Sequence, residues 1–291
     1  MATSLIHDHG SDELRQEWLV PAIRGERIAA LGVTEPGGGS DVSALKTGAR
    51  RDGDDYVIRG AKTFISNGAR ADFVTLAVRT GGPGSGGVSF VLCPTDARGF
   101  SVGKRLEKLD CHSSDTAELF FDDVRVPRRY LIGEENGGFR ILMRAFQGER
   151  LVLAAMVNAV CRDVLEETLS YIAERKAFGQ TIASMQAWRH RMANHMTDLE
   201  ASEMLTYRAA DQLCGGEPEA EVSVSMAKLY GAEMARRVVI DCGQAVGGYG
   251  MMAENYVARC SRGIQNWGIG AGTSEIMRDI IAGRRIPRAS V

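Results

Sequence analysis

Four short segments hold residue types at spacings that can do chemistry. The first, Val33-Thr34-Glu35-Pro36-Gly37-Gly38-Gly39-Ser40-Asp41, sets three consecutive glycines between hydroxyl and carboxylate side chains. Glycine lets the backbone approach a ligand closely, and hydroxyls beside free N–H groups receive a phosphate or the edge of a heterocycle. An ordinary turn between strands explains the same composition. The second, Lys62-Thr63-Phe64-Ile65-Ser66-Asn67-Gly68, reads as a strand ending in a turn. In the third, Glu149 and Arg150 share helical spacing with apolar Ala145, Phe146 and Leu153. A carboxylate on an apolar face loses hydration, which raises its pKa and suits it to act as a base near neutral pH. A helix-surface ion pair is the plainer reading. The fourth, Gly268-Ile269-Gly270-Ala271-Gly272-Thr273-Ser274-Glu275-Ile276, is a glycine-rich loop running into a helix that Thr273 or Ser274 can cap. Free N–H groups at such a start receive an anion or a carbonyl, and a simple cap fits equally well.

Other features exclude whole classes of function. Gly82, Gly84 and Gly87 match the spacing of a dinucleotide fingerprint, but a strand-like run follows them and Pro83 lies inside. That fingerprint has to join a strand to a helix, so the segment reads as a loop. His190 and His195 are five residues apart, which does not put two ligands on one helix face. Six cysteines without a Cys-x-x-Cys pair argue against a zinc ribbon and a disulfide framework. They suit a reducing compartment, so the expected location is cytoplasmic. Thirty-five basic residues against 37 acidic ones give a net charge of −2, which argues against nucleic-acid binding. No basic, then apolar, leader opens the chain. The longest apolar stretch, Leu151 to Val160, is interrupted by Asn158 and is too short for a membrane span.

These segments need a scaffold of two textures. Residues 11–24 repeat apolar side chains at helical intervals, with Pro21 expected to end or kink the helix. From 28 to 130, β-type runs such as Tyr56–Arg59, Phe73–Val78, Val88–Leu92 and Glu118–Phe121 alternate with Gly-, Asp-, Asn- and Pro-rich breaks. That pattern predicts an antiparallel sheet or barrel. Helical periodicity then covers 139–174, 182–213, 219–248 and 273–283, with Gly215-Gly216 and Gly247-Gly248 as stops. Four helices after a β region predict an antiparallel bundle. The expected class is α+β, with domains over 1–27, 28–130 and 131–291 of the 291 residues.

Taken in order, these segments resemble the acyl-CoA dehydrogenase family over nearly the whole chain. The motifs are Thr34 to Asp41, Ser114-Asp115-Thr116-Ala117-Glu118-Leu119 leading to Val126-Pro127, and Gly133-Glu134-Glu135-Asn136-Gly137-Gly138-Phe139. Further on come Glu174-Arg175-Lys176-Ala177-Phe178-Gly179-Gln180, Gln244-Ala245-Val246-Gly247-Gly248-Tyr249-Gly250 and Gly272-Thr273-Ser274-Glu275-Ile276. The resemblance implies helices, a middle β-barrel and a C-terminal four-helix bundle. It implies FAD as cofactor, conversion of an acyl-CoA thioester to a trans-2-enoyl-CoA, an electron-transferring flavoprotein as acceptor, and a homotetramer or homodimer. Roughly a hundred more helical residues precede the barrel in the family, of which only the helix at 11–24 is recognisable.

Residue by residue, the resemblance implies flavin-ring contacts at Val33, Thr34, Phe64 and Ser66, and a pyrophosphate or CoA contact at Ser40. Arg175, Phe178, Gln186, Gln244, Gly247 and Gly248 match residues presented to a neighbouring subunit's FAD, and Thr273 and Glu275 match residues near the ADP moiety of FAD. Most relatives carry the catalytic base just before Gly272-Thr273, where this chain has Ala271. The isovaleryl and long-chain branches instead place a glutamate before an arginine on the first bundle helix, which matches Glu149-Arg150. Glu149 is therefore the expected base. Arg150 is expected beside the substrate, holding the base's helix, and Ala271 and Gly272 line the thioester. A non-catalytic or partner-dependent flavin- or CoA-binding subunit is the alternative, and an oxygen-using oxidase a lesser one.

Overall fold

The computed structural model describes residues 1–287, which divide into two compact units, 1–145 and the residues from 146 onward. The first unit opens with α1 (Ala2–His9), followed by a helical stretch made of α2 (Asp12–Leu14), a π-helical turn (Arg15–Leu19) and α3 (Val20–Ile23). Pro21 has no N–H to return to Glu17. The helix widens to π geometry just before it and continues to Ile23. Trp18 from this stretch packs edge-on against Phe73 at 5.3 Å and Tyr130 at 5.7 Å, which fastens the helix to the sheet.

The sheet contains β1 (Ala29–Gly32), β2 (Gly48–Asp52), β3 (Asp55–Ser66), β4 (Phe73–Arg79), β5 (Val88–Pro94), β6 (Phe100–Arg105), β7 (Thr116–Pro127) and β8 (Leu131–Ile132). Its order is β6-β7-β3-β2-β4-β5-β8, with β1 beside β4. The expected antiparallel barrel is therefore corrected to an open, mixed sheet. β1 and β2 run parallel to β4, and the edge strands β6 and β8 do not pair with each other. β6 carries Lys104 and Arg105 along a largely exposed edge, and β8 is two residues long. Charge and shortness both discourage further strand pairing. Six consecutive residues of β4 and of β5 are buried, so these strands are covered on both faces, as their unbroken apolar runs require.

The second unit takes up most of α4 (Gly138–Glu174) and holds α5 (Gln186–Cys214), α6 (Ala220–Ala245), α7 (Tyr256–Trp267) and α8 (Ser274–Arg285). A hairpin, β9 (Lys176–Ala177) with β10 (Gln180–Thr181), links α4 to α5. Val157, Cys161, Val164, Leu165 and Ile172 of α4 form one core with Met192 and Leu199 of α5, Val238 and Cys242 of α6, and Ile264 and Trp267 of α7. Among the described residues the expected four helices are thus five. The additional helix, α7, has a regular apolar stripe of Val257, Cys260, Ile264 and Trp267, with Arg259, Ser261 and Arg262 exposed, and Asn255 caps it by accepting from the Ala258 N–H at 3.2 Å. All six cysteines are free thiols. Among the described residues no helix is long and apolar enough to cross a membrane, and no His, Cys, Asp or Glu cluster could hold a metal.

Candidate active site

In the first unit, the Thr34-to-Asp41 segment is held by a buried ion pair. Lys62 on β3 is 0% exposed, and its Nζ donates to Glu35 Oε1 and to the Val33 carbonyl, each at 2.9 Å. The Glu35 carboxylate also accepts the N–H of Lys46 at 2.6 Å and of Thr47 at 2.8 Å. Burial opposes ionisation of Glu35, but the Lys62 charge and these hydrogen bonds outweigh it and hold its pKa below the ordinary carboxylate range. Burial lowers the Lys62 pKa to about 8 against the opposing pull of Glu35, so the lysine is mostly protonated at neutral pH. A backbone bond from Thr63 N–H to the Thr34 carbonyl at 2.9 Å fastens the segment to β3. Val33 and Thr34 thereby lie beside the Thr63–Phe64 stretch, Ser66 lies farther along β3, toward Ala29, and Ser40 lies in the exposed turn beyond.

β3 breaks register against β7 between Lys62 and Ile65. The bulge sets Phe64 at φ +58° and leaves the residue 69% exposed, while Ile65 is buried and Ser66 exposed. A left-handed φ costs a non-glycine residue about 1–2 kcal/mol. A strained bulge that pushes an aromatic ring into solvent is a recurrent feature of ligand sites.

In the second unit, Glu149 is half-buried on α4. Burial raises its pKa, and the neighbouring Arg150 charge opposes the rise. Arg150 is 3% exposed, lies 5.6 Å from the Phe146 ring centre, and donates from Nε to the Ala271 carbonyl at 2.9 Å. Lys228 on α6 donates from Nζ to the Gly272 carbonyl at 2.5 Å. Burial, then the Arg150 and Arg236 charges, lower the Lys228 pKa to about 8, with Glu275 and Glu233 opposing. Ala271 at φ +56° and Gly272 at φ +105° both lie in left-handed backbone. The loop closes where the Ser274 N–H meets the Gly268 carbonyl at 3.0 Å, and the Thr273 hydroxyl caps α8 by accepting from the Ile276 N–H at 3.3 Å. Glu149, Arg150, Ala271, Gly272, Thr273 and Glu275 thus belong to one end of this unit.

The other residues of the second unit gather at its opposite end. Arg175 follows α4, and Phe178 occupies the hairpin turn at φ +54° with 97% of its surface exposed. Gln186 begins α5, Gln244 lies in the last turn of α6, and Gly247 at φ +63° and Gly248 follow it. Tyr171 near the end of α4 meets Tyr249 edge-on at 6.0 Å, which ties the two segments together. From Arg150 to Glu174 the helix rises about 36 Å.

Three residues that organise the site were not singled out from the sequence. Glu35 and Lys62 sit inside the quoted motifs, but their pairing spans 27 positions. Lys228 had a usable signal, being the one charge between Glu221 and Glu233 in an otherwise small and apolar stretch of α6.

The profile described as "Acyl-CoA dehydrogenase, middle domain" matches residues 30–124, and "Acyl-CoA dehydrogenase, C-terminal domain" matches 136–286. The chain is 38% identical to the short-chain specific acyl-CoA dehydrogenase of Clostridium acetobutylicum, covering 98% of this chain and 75% of that protein. It is 36% identical to the mitochondrial long-chain specific acyl-CoA dehydrogenase of Rattus norvegicus, covering 95% of this chain and 65% of that protein. A crystal structure of a probable acyl-CoA dehydrogenase from Mycobacterium abscessus superposes with a TM-score of 0.95 at 44% identity, covering 98% of this chain and 75% of that one. The chain belongs to the acyl-CoA dehydrogenase family.

Proposed function

We propose that the chain is an FAD-dependent acyl-CoA dehydrogenase that converts an acyl-CoA thioester to a trans-2-enoyl-CoA, with Glu149 as its base. The observation that carries this reading is a half-buried Glu149 of raised pKa, next in sequence to the arginine that grips the Ala271 carbonyl. Ala271 occupies the usual base position and has no acid to offer, so a carboxylate on α4 supplies the proton acceptor.

The residues present suit a flavin. The outward Phe64 ring and Ser66 hydroxyl offer a face and an edge to a planar heterocycle, and Val33 and Thr34 lie alongside. Bound FAD supplies the two-electron acceptor for the hydride leaving the β-carbon. Glu149 Oε takes the α-proton. Burial lessens its hydration and so strengthens it as a base. As that proton leaves, negative charge grows on the thioester oxygen, and N–H groups of the 271–273 loop are the donors for it. Arg150 holds this loop through the Ala271 carbonyl and keeps a positive charge beside the base.

The two ends of the second unit support an oligomer. Thr273 and Glu275 lie at one end, and Arg175, Phe178, Gln186, Gln244, Gly247 and Gly248 at the other, about 36 Å away along α4. That separation fits contributions to two cofactors, one of them a neighbouring subunit's, in a homodimer or homotetramer. An electron-transferring flavoprotein is the acceptor we propose, and six free thiols fit the cytoplasm. The test is an absorbance titration of the purified yellow protein with acyl-CoAs of several chain lengths. Bleaching of the flavin supports the reading, and an unchanged spectrum with every acyl-CoA overturns it.

A further inference from the structure

Lys228 is 1% exposed, and the charges that act on it are those of Arg150 from α4, Arg236 and Glu233 from α6, and Glu275 from α8. An ammonium taken out of water beside two other cations is an unfavourable placement, and packing alone is better served by methionine. Among the described residues its one hydrogen bond is to the Gly272 carbonyl, on a loop that is itself half-exposed. Water can satisfy a half-exposed carbonyl. A buried lysine adds a fixed direction.

That direction has a consequence. In a planar trans peptide the C=O and the following N–H point opposite ways. Arg150 draws the Ala271 carbonyl to itself, which turns the Gly272 N–H away from the guanidinium. Lys228 draws the Gly272 carbonyl, which turns the Thr273 N–H away from the ammonium. Among the described residues, no hydrogen bond within the chain uses the N–H of Ala271, Gly272 or Thr273. The two residues whose carbonyls meet the two cations, Ala271 and Gly272, both lie in left-handed backbone, and one of them is an alanine.

We propose that Lys228 is a positioning residue for the acyl thioester: with Arg150 it fixes two successive carbonyls of the 271–272 loop, which turns the Gly272 and Thr273 N–H groups away from the two cations and holds the loop's backbone in place for the substrate's carbonyl oxygen. The proposal rests on the acyl-CoA dehydrogenase reading. Lys228 touches neither substrate nor cofactor and acts through the backbone of Gly272. It bears on the developing enolate, so its loss lowers kcat more than it raises KM.

The experiment compares the FAD-loaded chain with its Lys228→Met and Lys228→Arg variants by three readouts. These are hydrogen–deuterium exchange without substrate, flavin content, and the rate and concentration dependence of flavin bleaching by acyl-CoA. Lys228→Met is expected to speed exchange over residues 268–273 while the rest of α6 stays protected and flavin content is unchanged. Its kcat falls about ten- to hundred-fold, with a KM change of about three-fold or less. Lys228→Arg restores at least half of the lost rate on a logarithmic scale. Lys228→Gln, shorter and uncharged, carries the same expectation as methionine where the latter fails to fold. Unchanged exchange at 268–273 and an unchanged bleaching rate in the Met or Gln variant, with a wild type that does bleach, overturn the role of Lys228 alone. A wild type that holds flavin and never bleaches overturns the enzymatic reading beneath it.

Discussion

Replacing Lys62 by methionine tests the anchoring of the 33–41 segment most severely. The lysine is 0% exposed, and its Nζ bonds to Glu35 Oε1 and the Val33 carbonyl, each at 2.9 Å. Methionine fills similar space but leaves Glu35 without its counter-charge and the Val33 carbonyl without its donor. Breaking one side of a buried ion pair typically costs about 3–5 kcal/mol. Glu35 keeps two backbone donors, from Lys46 and Thr47, so the loss should fall at the lower end, about 3 kcal/mol. At about 2–4 °C per kcal/mol for a chain of this size, Tm drops roughly 6–12 °C. The loss should be smaller in Lys62→Met with Glu35→Gln than the two single losses added, because the double variant leaves no unpaired charge. Urea denaturation followed by circular dichroism measures the stability, and visible absorbance measures retained flavin, which should fall as Val33 and Thr34 shift. A loss under about 1 kcal/mol with wild-type flavin content would show that the pair neither stabilises nor positions this segment.

Two further outcomes follow from the second unit. Gly272→Ala puts a Cβ at φ +105°, 3.0 Å from Met277 Cε and 3.4 Å from the Arg150 guanidinium. Since Met277 can yield and the backbone cannot, the expected loss is about 1–2 kcal/mol, read as a lower urea midpoint, and a value near zero refutes the strain argument. The pH dependence of Glu149 has opposite signs for rate and stability. Its folded pKa is raised by burial, so the folded state keeps a proton that the unfolded chain has already lost. Its contribution to stability is full below the unfolded carboxylate pKa and is lost as pH rises through the folded value. Bleaching, which needs the ionised base, rises through that same folded value. Glu149→Gln should therefore raise Tm at neutral pH while removing the acid limb of the rate profile, and a lowered Tm contradicts the burial argument.

Much of this arrangement was legible before the fold. Alternating or continuous apolar runs at 56–59, 73–78, 88–92 and 118–121 became parts of β3, β4, β5 and β7, because each run carries its own periodicity. The helical stretches became α4, α5, α6 and α8 for the same reason. Closure of the sheet was misjudged, since strand order depends on which distant segments pair. β1 meets β4 across more than forty residues, in parallel, which no local pattern announces. α1 and α7 lay outside the expected helices, although the spacing of Val257, Cys260, Ile264 and Trp267 in α7 is a legible helical stripe. The pairs Glu35–Lys62 and Lys228–Gly272 were invisible for a related reason. They join positions 27 and 44 residues apart, and a lysine in sequence does not declare whether it is solvated or buried.

The most direct test of the account is stopped-flow absorbance of flavin-loaded wild type and Glu149→Gln mixed with saturating acyl-CoA. Rapid bleaching is expected in the wild type. The variant is expected to stay yellow, to bind acyl-CoA, seen as a shift of the flavin bands, and to bleach at least about a hundred-fold more slowly. A variant that bleaches at the wild-type rate would show that another group removes the α-proton.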